Sequence, residues 1–255
     1  MKKFLALTLA LVMVLAFAAC SKAPASNETG SKTWIIAMDT VFRPFEYTDE
    51  NGEFVGIDVD IINAVAKDQG LDIEIKSLGW DAAIAACQAG QADGMIAGAS
   101  ITEKRQSEGW IFSDGYYTAT QCMAVAKDSG IKGFEDLKGK LVAVKTGTQG
   151  EEYAKSLQEE YGFDISNFED SPTMYQAVVG GQCVACFEDT PIMKDSIKSG
   201  VELVALDDTQ NEGGEYGFAI FDANNQELID AFNAGLKNIK ASGEYDQILE
   251  KYLGK

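Results

Sequence analysis

The sequence contains no histidine. Without an imidazole, the chain cannot use histidine for acid–base catalysis, for a metal site, or to activate a serine or cysteine nucleophile. Positive charge is also scarce, because 21 Lys and Arg stand against 40 Asp and Glu, for a net charge of −19. This excess argues against binding nucleic acid or an anionic membrane surface by charge. These absences leave a small-molecule binding role open, and the acidity does not indicate which molecule binds.

The first apolar run, residues 4–17, is shorter than the roughly 20 residues that a membrane-spanning helix needs. It follows two lysines, so residues 1–19 are predicted to be an export signal peptide. The Ala-Ala-Cys ending resembles a bacterial lipobox, which implies that Cys20 becomes the lipidated first residue, although Phe17 stands where Leu is usual. A plain secretory signal with an unmodified cysteine is the alternative. Residues 20–32 are small and polar and are predicted to be a flexible tether.

Four further cysteines follow, and two of them have the C-x-x-C spacing of redox or zinc sites: Cys87, Cys122, Cys183 and Cys186. The residues around Cys183 and Cys186 predict a buried strand, in which positions three apart point to opposite faces and cannot share a metal or a disulfide. We therefore expect four buried thiols and no metal or other cofactor. Their even number leaves one or two disulfides open in an exported protein.

From residue 33 the chain alternates short apolar runs with helical patterns, as parallel sheets covered by helices do. The first series predicts strands at 34–38, 73–78 and 95–99 and helices at 58–69 and 81–88. The second series predicts strands at 141–144, near 165 and at 183–187, and helices at about 150–161 and near 175. A β-prone stretch at 116–127 separates these series, and a second one at 216–221 follows them. Helices at 226–241 and 244–252 come last, with Gly243 between them. The pattern predicts two lobes of similar architecture, joined by a two-strand hinge.

The run Ser100-Ile101-Thr102-Glu103-Lys104-Arg105 carries the most chemistry. Ser100 and Glu103 have the spacing of a capping box, which predicts a helix that begins at Ser100. The free N–H groups of its first turn and the planar fork of Arg105 could together grip a carboxylate. A surface arginine on an amphipathic helix is the alternative interpretation.

The chain resembles the extracellular solute-binding proteins of polar amino-acid ABC transporters, solute-binding protein family 3. The resemblance runs from Thr33 to Gly254 and rests on an ordered set of motifs: 39–46 (DTVFRPFE), 56–60 (GIDVD), 90–93 (GQAD), 100–105 (SITEKR), 112–117 (FSDGYY), 136–139 (DLKG), 144–148 (VKTGT) and 187–191 (FEDTP). Segments 39–42, 142–148 and 189–191 are most similar to glutamine-binding proteins. The resemblance implies an α/β, two-lobe periplasmic-binding-protein fold of type II with two parallel-type sheets. Its large lobe would comprise 33–117 and 218–255, and its small lobe 118–217.

The resemblance also implies a role for each matching residue. Arg105 would bind the ligand carboxylate, helped by backbone N–H groups near Ser100 and Thr148, and Asp189 would bind the ammonium group. Phe42 and Trp80 would enclose the aliphatic part of the ligand, and Ala97 and Gly98 would offer backbone groups. Asp39 and Lys145 would face the end of the ligand side chain. The full set of predicted ligand-binding residues is Asp39, Phe42, Trp80, Ala97, Gly98, Ser100, Arg105, Lys145, Thr148, Gln149, Glu188 and Asp189.

Two departures from the family pattern bear on this expectation, since Val184 stands where Asp is usual and Glu188 where many relatives carry a neutral or imidazole residue. If Glu188 points away from the ligand, Asp39 and Lys145 suit a neutral carboxamide, and glutamine is the expected ligand. If Glu188 points inward, a cationic amino acid such as arginine or lysine is favoured. A third hypothesis is a cyclohexadienyl-type dehydratase, with Glu188 as an acid of raised pKa.

The expected protein is thus a monomeric receptor and not an enzyme. It would hold a free polar amino acid, deliver it to the membrane permease of an ABC importer, and bind no nucleic acid. Its expected location is the outer face of the cell membrane, through a lipid on Cys20, or the periplasm.

Overall fold

The computed structural model describes residues 32–254. The predicted signal peptide, Cys20 and the tether up to residue 31 lie outside the described residues. From Thr33 on, the chain forms one unit that contains two five-stranded sheets, one in each lobe. None of the described helices is both long and apolar enough to cross a membrane.

The sheet of the large lobe has the strand order β5-β1-β6-β15-β7. Its strands are β1 (Thr33–Met38), β5 (Asp72–Ser77), β6 (Gly94–Met95), β7 (Ile111–Phe112) and β15 (Ala219–Ile220). Strand β1 is parallel to β5 and β6, whereas β15 is antiparallel to β6 and β7. A three-stranded antiparallel sheet of β2 (Val41–Phe42), β3 (Glu46–Thr48) and β4 (Phe54–Val55) follows β1.

The sheet of the small lobe has the order β11-β10-β12-β9-β13. Its strands are β9 (Gln121–Ala126), β10 (Leu141–Lys145), β11 (Asp164–Phe168), β12 (Ala185–Asp189) and β13 (Leu203–Leu206). The predicted parallel strands are parallel, but β9 pairs antiparallel with β12 and β13. Each sheet is therefore mixed. The strand that follows a crossing between the lobes, β15 in the large lobe and β9 in the small lobe, runs antiparallel to its neighbours.

Helices cover the two sheets at positions close to those predicted. They are α1 (Ile57–Gln69), α2 (Trp80–Gln88), α3 (Glu103–Ser107), α4 (Gln149–Tyr161), α5 (Ser171–Val179), α6 (Thr190–Lys198), α7 (Gln226–Ser242) and α8 (Glu244–Leu253). Helix α1 buries Ile61, Ile62 and Val65 on one face against the large-lobe core. Gly243 has φ 82 and ends α7, as the sequence predicted, because a left-handed residue cannot continue a right-handed helix.

Two short strands connect the lobes. Strand β8 (Tyr117–Ala119) pairs antiparallel with β14 (Gly214–Tyr216) as a two-stranded sheet of its own. The predicted change of lobe at 117/118 lies inside β8, and the one at 217/218 lies directly after β14. The predicted β-prone stretch 116–127 contains β8, whereas the stretch 216–221 shares only Tyr216 with β14 and contains β15.

Two predicted elements differ from the structure. Helix α3 begins at Glu103 with Thr102, not Ser100, as its N-cap: the Thr102 hydroxyl accepts the N–H of Arg105 at 3.2 Å, and Ser100 forms a β-bridge with Tyr216. The capping-box prediction was therefore wrong. Strand β6 ends at Met95 rather than at residue 99, and Gly98 beyond it has φ 55, a left-handed bend that a strand cannot contain.

The four cysteines of the described residues are buried and unpaired, so the prediction of buried thiols is confirmed. The geometric reason given for Cys183 was wrong, since β12 begins only at Ala185. Cys183 lies in the preceding turn, and it packs with Cys122 and Cys186 in one hydrophobic cluster of the small lobe. Burial raises the pKa of the Cys186 thiol well above its ordinary value, so it stays protonated.

Candidate functional site

The twelve side chains and backbone positions predicted as ligand-binding surround a single cavity between the lobes. Its lining residues are Asp39, Phe42, Trp80, Ala97, Gly98, Ser100, Arg105, Lys145, Thr148, Gln149, Glu188 and Asp189. The space among them that can hold the centre of a water-sized sphere is about 20 Å³, within about 300 Å³ of non-atom space that includes open solvent. The structure thus brings all of these residues together, although they lie as much as 150 positions apart in the chain.

The cavity lies where the carboxyl ends of the parallel strands of both sheets meet. Asp39 follows β1, Lys145 is the last residue of β10, and Asp189 is the last residue of β12. Side chains at the carboxyl ends of parallel strands converge on one edge of a sheet, which is where ligands bind in open α/β folds. Each lobe contributes one such edge, so closing the lobes encloses the space between the two edges.

Arg105 is a buried cation whose side-chain hydrogen bonds, within residues 32–254, go to backbone carbonyls. Its Nη1 donates to the Ser100 carbonyl at 2.9 Å, and its Nη2 donates across the cleft to the Gly147 carbonyl at 3.1 Å. The guanidinium carbon lies 5.1 Å from the ring centre of Trp80 and 5.0 Å from that of Trp110. Burial lowers the pKa of Arg105 to about 10, which leaves it charged at neutral pH. Among the described residues it forms no ion pair, so an anion in the cavity would be its natural partner.

Asp189 provides negative charge on the small-lobe side. Its carboxylate accepts hydrogen bonds from the Gln121 amide and from the Tyr216 hydroxyl. Burial raises the pKa of Asp189, while these two hydrogen bonds and the charge of Arg105 lower it. No cation within the described residues forms an ion pair with Asp189, which suits an ammonium ligand.

Asp39 and Lys145 form an ion pair across the cleft. Their side chains are only 3% and 2% exposed, and the Lys145 Nζ also lies 5.2 Å from the ring centre of Phe42. Because the two charges neutralise each other, this end of the cavity offers one acceptor and one donor and no net charge. A neutral polar group meets the smallest electrostatic penalty there.

Glu188 lines the cavity, yet its hydrogen bonds come from the opposite side. Its Oε2 accepts from the Ser171 hydroxyl at 2.6 Å and from the Tyr175 hydroxyl at 2.9 Å, and its Oε1 accepts from the Asp189 N–H at 2.9 Å. Neighbouring residues of a strand point to opposite faces, so Glu188 and Asp189 diverge. Burial and the charge of Asp189 raise the pKa of Glu188, against the effect of the Ser171 hydrogen bond.

Two glycines let the cavity wall close tightly. A Cβ on Gly98 would lie 2.4 Å from the Phe42 ring, and one on Gly147 would lie 3.1 Å from the Trp80 indole nitrogen. Both have positive φ, 55° and 72°, which side chains rarely tolerate. The Gly98 N–H donates to Asp58 at 2.8 Å, so only its carbonyl could face a ligand.

Thr148 caps helix α4 at the cavity. Its hydroxyl accepts the Glu151 N–H at 3.3 Å and donates to the Lys145 carbonyl at 2.7 Å. The side chain is therefore occupied, and the contribution left to a ligand is that of the free backbone N–H groups at the start of α4. Gln149 is the first residue of that helix.

Contacts between the lobes show that the structure is closed. Besides the contacts of Arg105 and Lys145, the Nε of Arg43 lies 2.8 Å from the Oδ2 of Asp195, and the Nζ of Lys104 lies 3.1 Å from the Oε2 of Glu152. These outer ion pairs are partly exposed and add little stability.

Several residues that shape the site were not predicted from the sequence. Tyr216 and Gln121 hold Asp189, Ser171 and Tyr175 hold Glu188, and Trp110 lies beside Arg105. Tyr216 could have been suspected because it begins the predicted β-prone stretch 216–221 next to the hinge. The others sit in ordinary helix and strand patterns. No cluster of metal-ligating side chains occurs in residues 32–254.

The fold and the site together define a two-lobe receptor whose closed cleft carries one unpaired cation and one unpaired anion. The chain belongs to the bacterial extracellular solute-binding proteins, family 3, whose model matches residues 34–255.

Three similar proteins illustrate the relationship. The arginine-binding extracellular protein ArtP of Bacillus subtilis (strain 168) is 32% identical over 252 residues, which cover 99% of this chain and 98% of ArtP. The arginine-, lysine-, histidine-binding protein ArtJ of Geobacillus stearothermophilus is 34% identical, with a TM-score of 0.80, over 88% of this chain and 96% of that one. An ancestral arginine-binding protein bound to glutamine is also 34% identical, with a TM-score of 0.80, over 88% and 98% of the two chains.

Proposed function

We propose that this chain is the receptor of an amino-acid ABC importer and that glutamine is its preferred ligand. The observation that carries the receptor assignment is the pair of buried, unpaired charges in the cleft, Arg105 and Asp189. A zwitterionic amino acid supplies a carboxylate for the first and an ammonium group for the second. An ion buried without such a partner costs several kcal/mol, so a ligand that provides both charges at once is strongly favoured.

The preference for glutamine rests on the charge at the far end of the cavity. Glu188 has donors on both oxygens and turns toward α5, which leaves Asp39 and Lys145 to meet the ligand side chain. Lys145 repels a cation and can donate to an amide oxygen, and Asp39 can accept from an amide nitrogen. A carboxamide satisfies both groups without adding net charge.

A cationic amino acid is the second candidate, because relatives such as ArtP and ArtJ are named for binding arginine, or arginine, lysine and histidine. In that case the ligand cation would have to displace Lys145 from Asp39. Two observations count against the dehydratase hypothesis. Both oxygens of the Glu188 carboxyl group already accept hydrogen bonds from protein donors, and the family is one of binding proteins. Incubation with prephenate or arogenate, followed by a search for the aromatic product, tests it.

A thermal-shift screen of the twenty amino acids, followed by competition calorimetry, tests the ligand. A ligand that binds only the folded state raises the melting temperature by mass action. Glutamine is expected to give the largest shift and to bind at least about tenfold more tightly than arginine, lysine or glutamate, a difference of about 1.4 kcal/mol. Arginine or lysine binding ahead of glutamine would reject the choice of ligand and retain the receptor assignment.

We also propose that the protein is a monomer held at the outer face of the cell membrane by a lipid on Cys20, from where it delivers its ligand to the membrane permease. Metabolic labelling with a fatty acid tests the anchor, with Cys20→Ser as the matched control. Labelling of both proteins, or of neither, would contradict it.

A further inference from the structure

Glu46 and Asp58 form a buried acidic pair behind the wall of the cavity, and both are 0% exposed. The backbone brings them together: the Asp58 N–H donates to the Phe45 carbonyl at 2.9 Å, and the Ile57 N–H donates to the Pro44 carbonyl at 3.0 Å. A Cβ on Gly56 would lie 1.9 Å from the Phe45 oxygen, so this close approach needs a glycine. Glu46, at the start of β3, therefore lies against the first turn of α1.

The two carboxyl groups differ in their hydrogen-bond donors. The Oδ2 of Asp58 accepts from the Gly98 N–H at 2.8 Å and from the Tyr116 hydroxyl at 2.8 Å. The Oδ1 of Asp58 and both oxygens of Glu46 are buried without a donor among the described residues. If the two carboxyl groups hold one proton and it sits on Glu46, the protonated oxygen of Glu46 can donate a hydrogen bond to Asp58. Two adjacent carboxylates that share a dry site cannot both ionise at neutral pH.

The surrounding charges indicate which group keeps the proton. Burial, followed by the negative charges of Asp58 and Asp39, raises the pKa of Glu46 well above its ordinary value, and the charge of Lys145 only partly opposes this. Burial also raises the pKa of Asp58, but three hydrogen bonds to its ionised form lower it. The Tyr116 hydroxyl donates to Asp58, and the Tyr245 hydroxyl donates to the Tyr116 carbonyl; both tyrosines are neutral because burial raises each pKa.

We propose that the Glu46–Asp58 pair retains one proton at neutral pH, held on Glu46, and that the pair positions the cavity wall: Glu46 donates to Asp58, and the Asp58 carboxylate fixes the N–H of Gly98. Both are positioning residues, since neither lines the cavity. The effect on the ligand rests on the proposed function, whereas the retained proton does not.

Infrared spectroscopy of the unliganded protein in deuterated buffer at about pH 8 tests the proton, because ordinary carboxyl groups are ionised there. The wild type is expected to show the C=O stretching band of a protonated carboxyl group, and Glu46→Gln is expected to lack it. Glu53→Gln, an exposed position five residues after β3 ends at Thr48 and near Glu46 in the chain, is the matched control and should retain the band. Absence of the band from the wild type, or its persistence in Glu46→Gln, would overturn the proposal.

Calorimetry with glutamine tests the positioning role. Glu46→Gln still has an N–H donor for Asp58 and is expected to bind like the wild type, whereas Glu46→Leu removes the donor and is expected to bind about tenfold more weakly. If Glu46→Leu binds glutamine as tightly as the wild type does, the pair has only a structural role, and the proposal that it positions the cavity wall is overturned. If the wild type itself binds no amino acid, the proposed function fails, and the infrared result still decides the proton.

If Glu46→Leu does not fold, the wild type and Glu46→Gln are compared across alkaline pH. The pH at which the infrared band disappears marks ionisation of Glu46. The ratio of the wild-type dissociation constant to that of Glu46→Gln should rise from about one only above that pH. Both proteins share the titration of the ligand ammonium group, so the ratio isolates Glu46. A ratio that stays constant while the band disappears would overturn the positioning role.

Discussion

The two sides of the cleft each bury a cation, and the two cations have different partners. On the small-lobe side, Lys145 is paired with Asp39 from the large lobe, so its charge is neutralised within the protein. On the large-lobe side, Arg105 has two backbone carbonyls and two indole faces but, in the part of the chain that the structure describes, no carboxylate in an ion pair. The difference supports the proposal that Lys145 selects among ligand side chains, whereas Arg105 binds the ligand carboxylate.

Replacement of Arg105 should have the largest effect on binding. Arg105→Ala leaves the ligand carboxylate desolvated and unpaired, which costs about 3–5 kcal/mol and weakens binding several hundred-fold or more. Calorimetry measures this, and thermal unfolding of the unliganded variant checks that the fold is intact. Arg43→Ala removes only a partly exposed ion pair and should change the affinity less than about fivefold. A dissociation constant of Arg105→Ala within tenfold of the wild type would contradict the role of Arg105.

The neighbours Asp189 and Glu188 offer a matched pair of substitutions on the other side. Asp189→Asn removes the partner of the ligand ammonium and should weaken binding by roughly a hundredfold or more. Glu188→Gln should change the affinity less than about fivefold, because its carboxyl group faces Ser171 and Tyr175. Calorimetry on both variants shows whether the side chains on the two faces of β12 contribute differently to the binding affinity. Similar losses in both would show that Glu188 also contacts the ligand.

Breaking the Asp39–Lys145 pair should change selectivity more than overall affinity. Lys145→Met leaves Asp39 unpaired and should move the ratio of glutamine to arginine affinities toward arginine by at least about tenfold. Asp39→Asn leaves the Lys145 ammonium group without its carboxylate partner and should lower the affinity for arginine further, relative to that for glutamine. Competition calorimetry measures both ratios, after thermal unfolding has established how much stability each variant loses. If neither ratio of glutamine to arginine affinity changes, Asp39 and Lys145 do not contact the ligand side chain.

The smallest effect concerns the indole that both cations approach. Trp80 lies 5.1 Å from the Arg105 guanidinium and 5.9 Å from the Lys145 ammonium, measured from its ring centre. Its surroundings should change when the lobes close on a ligand, so Trp80→Phe should remove most of the ligand-induced change in intrinsic fluorescence. Trp34→Phe, in the large-lobe core, should retain that change. An unaltered signal in Trp80→Phe would place the reporting indole elsewhere.

The order of elements was predictable because apolar periodicity and glycine stops act locally. The helices 58–69 and 226–241 were placed to within one residue at either end, and Gly243 stops α7 as expected. The helix start at Ser100 was predicted wrongly because a capping-box spacing takes no account of a β-bridge: pairing of Ser100 with Tyr216, 116 positions away, holds it extended. Cys183 was misplaced for a similar reason, since only the register of the sheet shows where β12 begins.

The twelve residues of the cavity were brought to attention by the resemblance to a known family, because their motifs lie in this chain at the ends of strands and the starts of helices. The sequence could not decide where the Glu188 carboxyl group points, which charge Lys145 meets, or that Glu46 lies beside Asp58. Those outcomes depend on hydrogen-bond donors and charges brought from distant parts of the chain into a buried space. In such a space the donors and charges that happen to be adjacent determine which groups ionise, and only tertiary structure makes them adjacent.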